Sequence, residues 1–551
     1  MRSLSLPFTS LRPSRSRFAS TSRWLPLAAL ACLSASGPGC GRNAGLSLTI
    51  LTGSGALDDP FAGASTVAIT LQGMDFPPKE ALAPVMGGKF DVKLELSEPP
   101  RDKWVYVTVE ARDAMGQAVG RGRTPLLQLP RDNTSISVYV GRPGRVTMSP
   151  AALPDDNGST TNPVGRKALA AASLRGRRGL PEPGLGALIV GGVQDTGGLM
   201  SRAWRYSPVL HQLIDAGTPK VVRQGGVLLP SADSDIGQQA ILWGGADASG
   251  ALPTVADKYD PQVSDASALW QLPAPEVADP GAPGAYAATA VELKESLFLI
   301  SGGLASAAAG SDQTLAQATL CLRQSGSGSS ARVGITRLPA IGGSGPLVVA
   351  RSEHSATQVT LGDGVGALLF GGLSATDRSA GKPTVELFRE GQGKNTFSAL
   401  SLLPSQPDSR RGHVATTLPS GKVLIAGGYS EETPGQKTVL GSALLIDITA
   451  GTYQTRPTLL KTPRYAATLV ALPKEILVCG GFGPGPSYPP LADCELFSPD
   501  DNLTPQGDPI PLPRARAGHA AVRLETDHVL LIGGVGEGNR AVAPIDLYTP
   551  R

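Results

Sequence analysis

The chain has 551 residues, a length for three or four domains or one large repetitive one. It is 41% hydrophobic and 17% charged, enough for a real core, and Gly 68 with Pro 48 is about 21% of the chain, below the roughly 25–30% of aperiodic low-complexity sequences. The formal charge of +3 is carried by Arg2, Arg12, Arg15, Arg17 and Arg23, in a segment without an acid; from Cys40 onward there are 44 basic and 46 acidic residues. That balance argues against a nucleic-acid binder working by phosphate neutralisation, and five cysteines exclude a disulfide scaffold.

After the arginine-rich start comes the apolar run Leu25–Leu33, then small residues from Ser34 to Gly39 and Cys40. Basic, apolar, small is the order of a secretory signal, here over residues 1–39. The apolar run is too short to span a bilayer as a helix. The end of this leader resembles a bacterial lipoprotein signal, although Gly37 and Pro38 stand where that family carries Leu, Ala or Val and then Ala or Ser. The resemblance implies lipid attachment at Cys40, and Gly41 after it implies outer-membrane sorting. Membrane contact is then expected through the anchor alone, with a periplasmic or extracellular protein as the alternative.

Residues 40–148 carry short alternating segments at Leu46–Ile50, Thr66–Leu71, Phe90–Leu96, Trp104–Val109 and Ser135–Val140, with a weaker one near Ala118–Gly120. Period-two alternation marks half-buried antiparallel strands, and their number and spacing predict an immunoglobulin-like or transthyretin-like β-sandwich. Asp58 and Asp59 read as turn residues in a Gly/Pro-rich loop. Residues 149–165, rich in Asp, Asn, Ser, Thr and Pro, read as a linker.

From 166 to 551 one pattern recurs seven times: an apolar run ending in two glycines, the first being Gly191, Gly244, Gly302, Gly371, Gly427, Gly480 and Gly533. These are 53, 58, 69, 56, 53 and 53 residues apart. Upstream lies a second element, clearest in Arg410–Leu418 and Arg516–Leu524. Downstream are aromatics such as Tyr206, Tyr259, Phe388, Phe497 and Tyr548, and a fourth short strand carries Trp270, Phe397 or Tyr453. Recurrence near 50 residues with paired glycines means a propeller blade, and the pieces resemble the kelch repeat. The resemblance implies an all-β chain whose second half is a seven-bladed β-propeller of four-stranded blades, the glycine pair closing each second strand.

The repeat accounts for His354, His413 and His519, which hold one repeat position, so no metal or other cofactor is expected. Cys321, Cys479 and Cys494 lie on strands, which does not favour the copper-oxidase chemistry of some kelch-type propellers. Arg223, Arg351, Arg410 and Arg516 each stand three residues before the Gly or His of the first strand. By symmetry they are candidates for a ligand-binding rim, able to hold carboxylates or sulfated sugars through bidentate pairs; in the competing reading each bonds a neighbouring blade's carbonyls or carboxylates. The loops Leu304–Asp312 and Phe482–Pro490 are the other expected contact surface.

The function expected is a monomeric envelope lipoprotein that binds a protein or glycan and catalyses nothing. The alternative is a kelch-type envelope enzyme acting on sugars, epimerase- or mutarotase-like, which needs a channel acid beside two arginines. Two further expectations concern the frame. Cys479 and Cys494, at the end of a second strand and the start of a third, are placed for a disulfide. The seventh repeat runs out of chain before a fourth strand, so a stretch within 142–168, such as Gly144–Pro150, is expected to supply it. A three-stranded last blade, or use of 145–150 in the sandwich, are the alternatives.

Overall fold

The computed structural model describes residues 31–33, 46–53, 59–73, 77–86, 104–128, 134–161, 163–176, 185–231, 238–263, 269–272, 284–294, 296–307, 318–324, 332–338, 347–362, 364–372, 385–390, 395–405, 407, 410–433 and 435–551. Among them the chain is all-β, with one 3-10 turn at Glu537–Asn539. No helix among them is long and apolar enough to cross a membrane. Cys40, Asp58, the segment 90–96 and loop residues 308–312 lie outside the described residues.

The N-terminal unit has two sheets. In one, Leu46–Leu51 runs parallel to Thr134–Tyr139 and antiparallel to Ala31–Leu33, a stretch expected within the leader. In the other, Thr66–Gly73 lies between Lys79–Pro84 and Trp104–Arg112, and Ala118–Arg123 follows on the far side. Lys79–Pro84 has no apolar alternation to betray it: it is an edge strand, and its place is set by pairing. Leu48, Ile50, Ile136 and Val138 of the first sheet share one apolar core with Val67, Ile69, Val105, Val107 and Val109 of the second.

Seven four-stranded antiparallel sheets follow. Their second strands are Gly186–Val190, Gln239–Ala246, Leu297–Ser301, Gly364–Phe370, Val423–Ala426, Ile476–Cys479 and Val529–Ile532. Buried from both faces, these strands read in sequence as unbroken apolar runs. Third and fourth strands meet through cross-strand aromatic pairs where the sequence supplies them, Tyr259 with Trp270 and Phe388 with Phe397, at ring separations of 5.2 and 4.9 Å. The first strands, which begin at Ala170, Gln224, Thr289, Ser355, Val414, Thr468 and Ala520, touch in sequence order, and the last of them touches the first.

The glycine pairs explain how one sheet sits on the next. The first glycine of every pair has φ between 57 and 65° and the second between 83 and 97°, a region that favours glycine. A Cβ on the first would stand 2.1 to 2.6 Å from a carbonyl oxygen of the following sheet, that of Arg223, Ala285, Arg351, Arg410, Arg464, Arg516 and, for Gly533, Arg166 of the first sheet. The N–H of the second glycine donates to that same carbonyl in all seven cases, at 2.8 to 3.4 Å. Gly534 to Arg166 therefore carries the stitching from the seventh sheet back to the first.

The seventh sheet takes its outer strand from upstream. Arg145–Ala152 pairs antiparallel with Pro544–Thr549, so the boundary expected at 148/149 cuts through a strand, and residues 145–150 do not belong to the N-terminal sheets. Pro150 is tolerated because this is an edge strand. Cys479 and Cys494 are register partners on adjacent strands of the sixth sheet and form a disulfide, with Cα atoms 4.1 Å apart. The N-terminal unit is tied to the seventh sheet by Arg123, which pairs with Asp527 at 3.1 Å, and by a Tyr139–Thr147 hydrogen bond.

Candidate functional site

The four arginines read as candidates for a rim are buried, and the carbonyls and carboxylates they hold belong to their own sheet and not to a neighbouring one. Arg223, Arg351, Arg410 and Arg516 are among the largest fully enclosed side chains, and Arg166 and Arg464 join them at the same repeat position. Each guanidinium reaches the carbonyl of the first glycine of its own sheet, Gly244, Gly371, Gly427 and Gly533 for the four and Gly191 and Gly480 for the two. Four of them also pair with a third-strand acid: Arg223 with Asp257, Arg351 with Glu386, Arg464 with Glu495 and Arg516 with Asp546. These acids stand at one register position, opposite the residue two before the first glycine. Burial lowers the pKa of Arg223, Arg351 and Arg516, opposed by their acid partners.

The histidines serve the same stitching. Nε2 of His354, His413 and His519 lies 2.9, 2.8 and 2.9 Å from hydroxyls of the preceding sheet, Ser301, Ser355 and Thr468. Burial first, then the neighbouring arginine, pushes His413 down to about 3, so the rings are neutral. Among the described residues no group of three His, Cys, Asp or Glu is placed to hold a metal ion.

What distinguishes one end of the sheets is the residue two after each arginine position. Ala168, Gly225, Ala287, Glu353, Gly412, Ala466 and Gly518 all have φ between 50 and 62°. Backbone hydrogen bonds link them from sheet to sheet: Gly225 N–H to the Ala168 carbonyl, Ala287 to Gly225, Gly412 to Glu353, Ala466 to Gly412 and Gly518 to Ala466. Six are Gly or Ala. Glu353 alone sends out a longer side chain, an exposed carboxylate in a conformation that disfavours it.

Beside Glu353 the fifth and sixth sheets gather aromatics. In five sheets the residue after the arginine position forms a bridge with the residue after the glycine pair: Lys167 with Val193, Tyr286 with Leu304, Arg411 with Tyr429, Tyr465 with Phe482 and Ala517 with Val535. Among these bridges only those of the fifth and sixth sheets have charge or a ring on both partners. Tyr429 donates its O–H to Glu353 Oε2 at 2.9 Å, and the Arg411 guanidinium lies 5.5 Å over the Tyr429 ring while pairing with Glu431 at 2.9 Å. Tyr465 packs edge-on against Tyr429, with centroids 4.9 Å apart, and tilted against Phe482 at 5.1 Å.

Tyr488 completes the group from the loop Phe482–Pro490, one of the two expected contact loops, and it too has a left-handed backbone, φ 43°. Burial first, then the Tyr488 and Glu353 neighbours, pushes Tyr465 up to about 12. Tyr429 rises further, from burial and the Glu353 carboxylate. Both phenols therefore remain protonated.

Into this group reaches Lys437, from a hairpin that the fifth sheet inserts between its second and third strands, Tyr429–Thr433 paired with Gln436–Val439. Its Nζ lies 4.5, 4.7 and 5.8 Å from the ring centroids of Tyr429, Tyr465 and Tyr488. Tyr488 fixes the lysine's backbone, accepting its N–H at 3.0 Å and donating to its carbonyl at 3.3 Å. Chemically this is an electron-rich three-ring box beside a carboxylate, suited to holding a cation or stacking on an apolar ligand face. No known family matches the chain, and no curated protein is significantly similar to it.

Proposed function

We propose that the protein is an exported, monomeric binding module of the cell envelope, anchored by lipid at Cys40, whose seven sheets are the blades of a kelch-type β-propeller and whose N-terminal unit is an immunoglobulin-like or transthyretin-like sandwich. The cyclic order of first-strand contacts, with Gly534 bonded to Arg166, supports the propeller. The shared core of the two N-terminal sheets supports the sandwich. The order of basic, apolar and small residues before Cys40 supports export and lipidation.

The ligand, protein or glycan, is taken at the end of the propeller where Glu353, Tyr429, Tyr465 and Tyr488 meet. The observation that carries this reading is the concentration there of a carboxylate at a position that the other blades fill with Gly or Ala and of two neighbouring bridges whose partners both carry charge or a ring. Binding is favoured over sugar chemistry because Arg223, Arg351 and Arg516, which an enzyme would need beside its acid, are committed to Asp257, Glu386 and Asp546. A glycan array and pull-down with the wild-type chain and with Tyr488→Ala test the reading. A ligand captured by the first and lost by the second is the expected result, and equal capture by both would overturn it. Loss of membrane association in Cys40→Ala would accompany lipidation.

A further inference from the structure

We propose that the tyrosine box is a receptor for an alkylammonium group, primary or quaternary, and that Lys437 occupies it as a tethered stand-in. This rests on the reading of that end as the binding face.

The first argument is that an ammonium already sits there, within cation–π range of three rings. Among the described residues no carboxylate lies within ion-pair distance of Lys437, so the rings are its main electrostatic partners. The Tyr429 ring is further enriched by donating its O–H to the Glu353 carboxylate.

The second argument concerns which parts are fixed. Tyr429 and Tyr465 are buried, at 3% and 9% exposure, and each is bridged into its sheet, Tyr429 to Arg411 and Tyr465 to Phe482. Lys437 instead arrives on the second strand of a hairpin whose only ladder joins its own two strands and whose first strand alone, at Tyr429, is bridged to Arg411. Swinging the lysine side chain outward, with its backbone still held by Tyr488, breaks neither the hairpin ladder nor the Tyr429–Arg411 bridge. The walls stay, and a ligand's ammonium can take the lysine's place.

The test uses the full-length chain and Lys437→Met, with folding of both checked by circular dichroism and binding by calorimetry. The probes are choline, ethanolamine and 3,3-dimethyl-1-butanol, the uncharged counterpart of choline. Lys437→Met should bind choline about tenfold more tightly than wild type does and about tenfold more tightly than it binds the uncharged probe, the size of a desolvated cation–π contribution. Ethanolamine separates primary from quaternary preference; either preference supports the box. Adding Tyr465→Leu to Lys437→Met should abolish the gain. Equal binding of choline and the uncharged alcohol, or a gain that survives Tyr465→Leu, would overturn the proposal. If that happens while Tyr488→Ala still abolishes capture of a glycan or protein, the binding face stands and only the ligand class fails.

Discussion

Replacing Gly480 by alanine tests the stitching between sheets most directly. The residue has φ +57° and a Cβ there would lie 2.2 Å from the Arg516 carbonyl oxygen and 3.0 Å from His519 Cε1. Left-handed backbone alone costs an alanine about 1–2 kcal/mol. To regain ordinary contact distance the sixth and seventh sheets must part locally by about 1 Å, and overpacking of that kind costs about 1–3 kcal/mol. The same shift pulls the Arg516 carbonyl off the Gly481 N–H, now 2.9 Å away, and leaving that buried donor unmet adds about 1–3 kcal/mol. The total is about 3–8 kcal/mol. Gly421→Ala is the comparator: it has φ +85° with no atom within 4 Å of its Cβ position, so it reports the backbone cost alone. Urea unfolding of the two variants and wild type, read as shifts of midpoint at constant m, gives the difference. If Gly480→Ala loses no more stability than Gly421→Ala, the close approach of the carbonyl does not hold the sheets together.

The buried ion pairs, the disulfide and the histidines give further expectations. Arg351→Met leaves Glu386 buried, with only the Val348 and Val349 N–H groups at 2.8 and 3.2 Å to hold it. It should cost about 3–5 kcal/mol, of which Glu386→Gln in the same chain recovers part; a double-mutant cycle with no coupling would refute the pairing. The Cys479→Ala, Cys494→Ala variant loses a crosslink spanning 15 residues and should be less stable by about 3 kcal/mol in urea, with an unchanged midpoint as the refuting result. His211 and His413 are held down to about 3 and His528 to about 4, mainly by burial, so in this range the unfolded chain binds more protons than the folded one. Their contribution is fully present above about pH 6.5 and is lost as pH falls from there toward 4 and 3. His413→Gln should flatten the decline of urea midpoint between pH 6.5 and 4, and an unaltered slope would sink the assignment.

The frame was legible because it depends on backbone geometry that few residues tolerate. Paired left-handed glycines at intervals of 53 to 69 residues announce seven repeats, and the apolar run before each announces a strand covered on both faces. The arginines show where such reading stops. Their recurrence was visible, but recurrence does not say where a side chain points. The deciding signal is in the sequence all the same. An acid stands at the matching third-strand position in the second, fourth, sixth and seventh sheets, while in the third sheet, where Ala285 replaces the arginine, Thr319 takes the place of the acid. The first and fifth sheets keep the arginine with Trp204 and Leu444 at that position, so the acid marks four of the six arginines and the glycine carbonyl is the contact common to all. Arg464 and Arg166 are harder to recognise in the sequence for local reasons: Ala467 stands where four repeats have Gly or His, and Arg166 precedes a weakly patterned strand rich in alanine, Ala170–Leu174.

The tyrosine box could not be read in the same way, because it violates the repeat instead of following it. Tyr429 and Phe482 share the place after a glycine pair, one repeat apart, but Tyr465 sits one place after an arginine and Tyr488 in a loop of the sixth sheet, so no single spacing relates all four. They converge because the stitching superimposes corresponding positions of adjacent sheets, so that departures in neighbouring repeats become neighbours in space. The same logic isolates Glu353. A left-handed position that accepts Gly or Ala in six sheets carries a charged side chain in one, the fourth, next to the fifth sheet, whose bridge like that of the sixth has charge or a ring on both partners. Repeated positions therefore describe how this chain holds together, and the binding face we propose lies where adjacent exceptions to them meet.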